Sequence, residues 1–256
     1  RSIHYWAKNL NPLQYKKIHD NSIEQLVYKT LPGGGTDTDI AILAKTDVPH
    51  PKLPGTIFSA AKEIEQLGVK ALPIKTDIRF DDQVENAIKH VVNEFGSIDV
   101  LINNASAINL FNSETLPMKR YDLMHDINVR GTYLCSKRVL PKMREKAWGR
   151  IINIGYASSE KGLVNTKNFP YFVSKAGVHM FTRMLASDTS GSGITVNSLS
   201  PYVVENSDNF PEKIPMGRPA KLEEMAKSML FFIGHGSEYI SGANLEIHGG
   251  WLPERV

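Results

Sequence analysis

From Asp39 onward, short apolar segments alternate with longer amphipathic stretches. Six segments of strand length are bounded by turn-forming or polar residues: 40–44, 71–77, 98–105, 150–156, 194–201 and 243–250. The stretches between them have the length and apolar spacing of helices, at 56–67, 81–95, 118–146, 171–190 and 220–233. Alternating strands and helices build parallel βαβ units, and strands that are apolar throughout are typical of a sheet covered on both faces. The sequence predicts an α/β fold with a doubly wound parallel sheet.

Size and composition favour one domain over residues 1–256, because 41% of the 256 residues are hydrophobic and no linker or repeat interrupts them. No apolar run approaches the length of a membrane span, and the first residues lack the apolar region of a signal peptide. A formal net charge of +3 without a basic cluster argues against nucleic acid. The single cysteine, Cys135, fits a reducing compartment, and the histidines lack metal-ligand spacing. We expect a cytoplasmic protein without metal, nucleic-acid or membrane binding.

Ligands of such sheets bind outside the carboxyl ends of the strands, so the residues there are the candidates. Lys45 and Thr46 follow the segment 40–44 with a basic residue where a carboxylate would hold the adenosine ribose. This favours NADP(H) over NAD(H), although NAD(H) also fits. The sequence favours an ordinary role for Lys45, as a solvated loop residue, about equally. Asp77, followed by Ile78, could accept a hydrogen bond from adenine or shape a turn.

Polar candidates also stand at the end of the fourth strand and inside the helical stretch 118–146. Asn104, Ala105 and Ser106 combine a carboxamide with small residues, which lets a flat ligand approach the backbone. Asn128 is polar among apolar neighbours, and such an asparagine bonds a backbone carbonyl or an ordered water.

Tyr171 and Lys175 are four residues apart in the stretch 171–190, so on a helix they lie one turn apart on the same face. A nearby cation favours the phenolate and brings a tyrosine towards the pH at which proton transfer is efficient. Taken alone, this spacing is more often a surface pair.

Together, these residues resemble the short-chain dehydrogenase/reductase family, whose fold is Rossmann-like. The matching motifs are TD at 76–77, NNAS at 103–106, INVRG at 127–131, GRIINIG at 149–155 and YFVSK at 171–175. Residues 37–150 are similar to hydroxysteroid-dehydrogenase-like and citronellol dehydrogenase members. Residues 149–252 are similar to 3-oxoacyl-carrier-protein reductases and pteridine reductases.

The resemblance implies roles for individual residues. Tyr171 would be the general acid for carbonyl reduction and the base for alcohol oxidation. Lys175 would hold the nicotinamide ribose and lower the pKa of Tyr171, while Asn128 would bind a water that relays protons. Pro201, Tyr202 and Val203 would lie against the nicotinamide carboxamide.

A serine after the fifth strand would hydrogen-bond the substrate oxygen. Ser158 has the usual spacing from Tyr171, but Tyr156 stands at the position that the local motif gives the serine, and Ser159 is adjacent. We favour Ser158 and leave the other two open.

Residues 1–36 are atypical, because the glycine-rich phosphate loop of the family has no match there. A capping-box pattern at Ser22 predicts a helix from about Ile23 to Leu31, and Gly33–Gly35 are too close to the next strand to be the phosphate loop. The segment is therefore either replaced or frame-altered, or a divergent site in which this helix binds phosphate through its N-terminus.

The expected function is an NADP(H)-preferring oxidoreductase that acts on a small carbonyl or alcohol substrate. A 3-oxoacyl thioester or a pterin is an alternative substrate. A different class of function, a non-catalytic scaffold or regulatory protein of the same fold, is favoured by the missing loop. The resemblance also implies a homo-oligomer, a dimer or tetramer, built through the helices at 118–146 and 171–190.

Overall fold

The computed structural model describes residues 25–29 (backbone), 39–45, 56–66, 68–159, 169–205 and 214–251. Its strands are β1 (Gln25–Lys29), β2 (Asp39–Ala44), β3 (Ala71–Lys75), β4 (Val100–Asn103), β5 (Gly149–Ile154), β6 (Ile194–Pro201) and β7 (Asn244–Ile247). Its helices are α1 (Ile57–Glu65), α2 (Asp81–Phe95), α3 (Met118–His125), α4 (Thr132–Lys146), α5 (Phe169–Asp188) and α6 (Leu222–Ile233). A π-helix, Asp126–Gly131, joins α3 to α4.

The seven strands form one sheet in the order β3-β2-β1-β4-β5-β6-β7. Strands β2 to β7 run in one direction, with β2 parallel to β3 and β4 to β7 each parallel to the next. Their carboxyl ends therefore share one edge of the sheet, and a ligand is expected at that edge. We refer to it as the carboxyl edge.

Strand β1 is antiparallel to both of its neighbours, β2 and β4. Its first residue, Gln25, pairs with Leu43 and Asn103, so the chain enters β1 at the carboxyl edge and leaves it at the opposite edge. The predicted parallel sheet is therefore confirmed for β2 to β7, and the antiparallel strand lies in the segment 1–36 that was predicted to be atypical.

The helix predicted from about Ile23 to Leu31 is also wrong, because Gln25–Lys29 is a strand. Val27 and Tyr28 favour strands, and pairing on both sides supplies hydrogen bonds that outweigh the local capping pattern. Because this helix does not form, the hypothesis that its N-terminus binds phosphate is also wrong. Thr46 and Gly33–Gly35 lie outside the described residues.

Helices cover both faces of the sheet, as the apolar strands predicted. Ile42 and Ile102 pack with α1 and α6 in one core, and the adjacent Leu43 and Leu101 pack with α2, α4 and α5 in the other. Because side chains alternate across a strand, neighbouring residues of β2 and β4 serve opposite cores. Cys135 is buried in the second core.

Candidate active site

Tyr171 and Lys175 lie one turn apart on α5, and both side chains are buried, with exposed fractions of 8% and 1%. The ammonium nitrogen of Lys175 is 5.8 Å from the centroid of the Tyr171 ring. It donates a hydrogen bond of 2.7 Å to the carbonyl oxygen of Ile154, at the end of β5. The helix thus presents an acid–base pair at the carboxyl edge, beside the last residue of a central strand.

Burial dominates the protonation of this pair. It raises the pKa of Tyr171 to about 12, and a hydrogen bond with the Ser106 side chain acts in the opposite direction. Burial also lowers the pKa of Lys175 to about 7. The expectation that Lys175 lowers the pKa of Tyr171 is therefore wrong for this structure, because the buried amine is only partly charged near neutral pH and bonds a carbonyl instead.

Asn128 lies in the π-helix and joins α5 to the loop after β4. Its Oδ1 accepts a hydrogen bond of 2.8 Å from the Ala107 N–H, and its Nδ2 donates to the Ala107 carbonyl (3.0 Å) and to Ser174 Oγ (2.8 Å). The predicted bond to a backbone carbonyl is confirmed, while the water relay stays a prediction. A π-helix is rare and frequent at functional sites, and here it turns Asn128 inward between two helices.

The three candidates for the serine position lie in different environments. Ser158 has a φ of 62° and is wholly buried, and its Oγ has no hydrogen-bond partner in the described part of the chain. Ser159 Oγ donates to the Tyr156 carbonyl (2.9 Å). Tyr156 packs its ring edge-on against Tyr171, with centroids 5.3 Å apart. The structure therefore brings the Tyr156 ring into contact with the candidate acid, and the choice of Ser158 for the substrate oxygen stays a prediction.

Close packing at Gly155 explains why Tyr156 lies there. A Cβ atom at residue 155 would overlap with His179 Nε2 and Ser200 Oγ. Only glycine lets the end of β5 run this close to α5, and the next residue then meets Tyr171. Burial raises the pKa of Tyr156 well above its ordinary value, which keeps this second phenol neutral.

Ser106 makes a contact that the sequence did not predict. Its place in a cofactor-binding loop stays a prediction, and its side chain also hydrogen-bonds the Tyr171 hydroxyl. Ser106 is exposed, so it connects a buried phenol to the solvent. The NNAS motif places a small polar residue here, but the sequence does not reveal the contact across to α5.

Two cations surround the carboxylate at the end of β3. The Arg79 guanidinium bonds both oxygens of Asp77, at 2.6 to 3.2 Å, and Lys45 Nζ lies 3.5 Å from the same carboxylate. Burial of Asp77 opposes its ionisation, but the bonds from Arg79 outweigh it and hold its pKa below the ordinary value. Ile78 is buried beneath this group. The site has one more positive than negative charge.

The remaining predicted residues follow β4 and β6. Ala105 is buried and Asn104 is half-buried, whereas Asn103 is committed to the sheet through bonds to Ser136 (3.1 Å) and Asn153 (2.8 Å). After β6, Tyr202 stacks on Trp251, with centroids 3.8 Å apart and rings 7° from parallel. Pro201 and Val203 flank it. All these residues lie at the carboxyl edge.

The residues at the carboxyl edge fit the nicotinamide half of a nicotinamide dinucleotide better than its pyrophosphate. Tyr171, Lys175 and the loops after β4 and β6 meet at one edge and supply buried donors beside small residues, as a nicotinamide ribose requires. The family places a glycine-rich loop after its first strand. Here Lys29, the last residue of β1, lies at the opposite edge, so the described strand does not end at the carboxyl edge, where the family has this loop.

Within the described ranges, no three or more His, Cys, Asp or Glu side chains cluster in a way that could hold a metal ion. Among the same residues, no helix has both the length and the apolar character needed to cross a membrane.

The family model described as enoyl-(acyl carrier protein) reductase matches residues 54–252. Hydroxysteroid dehydrogenase-like protein 2 of Danio rerio is 44% identical over 163 residues, and that of Homo sapiens is 42% identical over the same length. Each match covers 64% of this chain and 39% of the relative. The chain thus spans about two fifths of the length of the curated relatives it matches.

Solved structures agree. The structure of NAD⁺-bound xylitol dehydrogenase aligns with a TM-score of 0.73 at 25% identity, covering 82% of this chain and 88% of the other. A short-chain type dehydrogenase/reductase from Mycobacterium marinum aligns with a TM-score of 0.74 at 27% identity, covering 82% and 84%. Both have the Rossmann-like arrangement of strands and helices. The chain therefore belongs to the short-chain dehydrogenase/reductase family of oxidoreductases.

Proposed function

We propose that the protein is an NADP(H)-preferring oxidoreductase that reduces a carbonyl group or oxidises the corresponding alcohol, with Tyr171 as its general acid and base. The observation that carries this proposal is the buried pair of Tyr171 and Lys175 at the carboxyl edge. A long-chain amine is almost never buried without a functional reason, because desolvation of its charge costs free energy.

In the proposed reaction, Tyr171 gives its proton to the substrate oxygen. A bound reduced nicotinamide supplies hydride to the carbonyl carbon. Burial raises the pKa of Tyr171 from 10.0 to about 12, so its hydroxyl stays protonated through neutral and mildly alkaline pH, and it donates its proton to the carbonyl oxygen. The hydroxyl of Ser106, bonded to the phenol and exposed to solvent, is the group through which the phenol regains a proton. In alcohol oxidation the same groups work in reverse.

The surplus charge around Asp77 supports NADP(H). Lys45 and Arg79 together carry two positive charges against one carboxylate, and a 2′-phosphate is a dianion that such a site attracts. NAD(H) remains possible, because Asp77 also offers acceptors for ribose or adenine.

The substrate is proposed to be a small carbonyl or alcohol compound, with the thioester and pterin classes as alternatives. Cys135 is buried and outside any disulfide, which is compatible with the cytoplasm. Assembly through α4 and α5 into a dimer or tetramer is supported by exposed apolar side chains on these helices, at Tyr133 (48% exposed), Met180 (55%) and Met184 (66%).

The reversed β1 favours a second candidate, a scaffold or regulatory protein that has lost dinucleotide binding. Fluorescence titration with NADPH and NADH separates the two functions. Binding of NADPH, with turnover of aldehydes or ketones that Tyr171→Phe abolishes while cofactor binding is retained, supports the enzyme. No detectable binding at millimolar cofactor would instead establish the scaffold.

A further inference from the structure

Three neighbouring strands each lead into an aromatic residue at the carboxyl edge. Tyr156 follows β5, Tyr202 follows β6 and Trp251 follows β7. We call these residues the aromatic row. The rings of Tyr156 and Tyr202 are 6.1 Å apart, and those of Tyr202 and Trp251 are stacked at 3.8 Å. The row therefore extends as a chain of ring contacts across three strand ends.

The backbone after β7 is built to bring Trp251 onto Tyr202. Gly249 and Gly250 both have positive φ angles, of 61° and 81°, which residues with side chains rarely adopt. A Cβ at Gly249 would also lie 2.9 Å from Ile214. The Trp251 N–H then donates to the His248 carbonyl (3.0 Å), which closes the turn.

Tyr202 is fixed independently of its ring contacts. Its N–H donates to the Ile247 carbonyl (3.0 Å), so β7 holds the residue that Trp251 stacks on. At the other end of the row, Tyr156 packs against Phe172 (5.2 Å) as well as Tyr171. The row is thus rigid and ends at the candidate acid.

The three rings of the row are half-buried, so each keeps some surface at the edge where a substrate must approach Tyr171. Aromatic surface of this kind is stabilised by a second flat ring, through stacking and loss of hydration. A saturated or polyhydroxylated substrate gains much less, because it is not flat or because its hydroxyl groups need hydrogen-bond partners instead.

We propose that the aromatic row selects a flat substrate in which the reacting carbonyl or alcohol lies on a ring fused to an aromatic ring. This inference rests on the proposed function, since the row matters for turnover only if Tyr171 is the proton donor. It concerns this chain specifically, because Tyr156 stands at the position that the local motif of the family gives to serine.

Two ketones of the same bicyclic skeleton test the proposal. 2-Tetralone has a flat aromatic ring, and 2-decalone is its saturated counterpart. We expect the wild-type enzyme to show a kcat/KM for 2-tetralone roughly tenfold above that for 2-decalone. Trp251→Leu should reduce this ratio about fivefold, the size expected for one aromatic contact.

The matched control is Trp148→Leu, because Trp148 precedes β5 at the opposite edge and contacts Arg150 instead. This control should leave the ratio unchanged. A wild-type ratio near one, or a Trp251→Leu variant that slows both ketones equally, would overturn the role of the row.

Calorimetric titration with the matching alcohols, 2-tetralol and 2-decalol, gives the same comparison without turnover. Tighter binding of 2-tetralol that Trp251→Leu removes supports the row even if Tyr171→Phe leaves turnover intact, a result that would refute only the proposed function. Equal binding of the two alcohols by the wild type contradicts the row, whatever the kinetics show.

Discussion

The two sides of the sheet differ in how closely they follow the family. On one side, β4 to β7 are parallel, and the helices and loops at their carboxyl ends carry Tyr171, Lys175, Ser106 and Asn128. On the other side, β2 and β3 are joined to β4 through the antiparallel β1. The first side carries the residues proposed for proton transfer, and the second carries the cations proposed to favour NADP(H), while β1 ends at the opposite edge. The proposed proton transfer and the proposed cofactor preference therefore depend on different parts of the fold, and variants can test each one separately.

The largest effect on stability is expected on the β4–β7 side at Gly155. Alanine there places a Cβ in contact with His179 and Ser200, both of which are buried and hydrogen-bonded to each other at 2.9 Å. We expect Gly155→Ala to lower the free energy of unfolding by about 2–3 kcal/mol, measured by urea denaturation. Ala176→Ser on α5 is the control. Gly191→Ala is unsuitable, because Gly191 has a positive φ and alanine would be strained there. An unchanged urea midpoint would show that this side is less tightly packed than described.

Lys175→Met tests the charge state of the buried amine. The ordinary pKa is 10.5 and the folded value is about 7, so between these pH values the unfolded chain binds a proton that the folded chain lacks. Wild-type stability therefore falls as pH decreases through this window and stays low below it.

Methionine cannot ionise, so the stability of the variant relative to wild type should be highest at pH 7 and shrink as pH rises towards 10. We subtract the melting temperature of the wild type from that of the variant. We expect this difference to be at least ~3 °C higher at pH 7 than at pH 9.5. A difference that does not vary with pH would mean that the amine titrates normally. Loss of the bond to the Ile154 carbonyl contributes equally at both pH values, so it does not affect this test.

On the β1–β3 side, Arg79→Ser should change cofactor choice without changing proton transfer. It removes one cation and exposes the charge of Asp77, so we expect the preference for NADPH over NADH, measured as the ratio of Kd values, to fall about tenfold. Arg138→Ser is the matched control, because Arg138 pairs with Asp81 and Glu85 on α2. If both variants shift the ratio equally, general charge rather than the Asp77 site sets the preference.

The smallest effect is expected at Ser106. Ser106→Ala removes the hydrogen bond that lowers the pKa of Tyr171, so the pH at which alcohol oxidation becomes half-maximal should rise. We also expect kcat to fall roughly threefold, as for one neutral hydrogen bond. A pH–rate profile measured beside Ser159→Ala, whose hydroxyl bonds the Tyr156 carbonyl, checks this. An identical profile for the Ser106 variant and wild type would remove Ser106 from the proton path.

The β4–β7 side was predictable from sequence because its signals are local. Strand segments and helix bounds were placed within a few residues, and the spacing of Tyr171 and Lys175 alone placed them on one helix face. The sequence did not show that Tyr156 meets Tyr171, since that depends on the close approach at Gly155. It also gave the wrong direction for the pKa of Tyr171, because burial is a property of the whole fold.

The β1–β3 side was harder because its errors come from non-local pairing. The pattern after Ser22 is a reasonable helix start, yet Gln25–Lys29 pairs with strands up to 78 residues away in sequence, as Gln25 does with Asn103. Such pairing overrides weak local preferences in a way that no short window reveals. The sequence also did not predict the ion pairs of Asp77 with Lys45 and Arg79. Lys45 and Asp77 were predicted to bind the cofactor, but their contact depends on the pairing of two strands.

Two phenols in contact give the most direct test of the central claim, that Tyr171 alone transfers the proton. Single-turnover oxidation of bound NADPH by a ketone should be compared for wild type, Tyr171→Phe and Tyr156→Phe. The account predicts a loss of about 10²–10⁴-fold for Tyr171→Phe, with cofactor affinity unchanged, and less than about tenfold for Tyr156→Phe. Equal losses in the two variants, or a Tyr171→Phe variant that retains the wild-type rate, would contradict it.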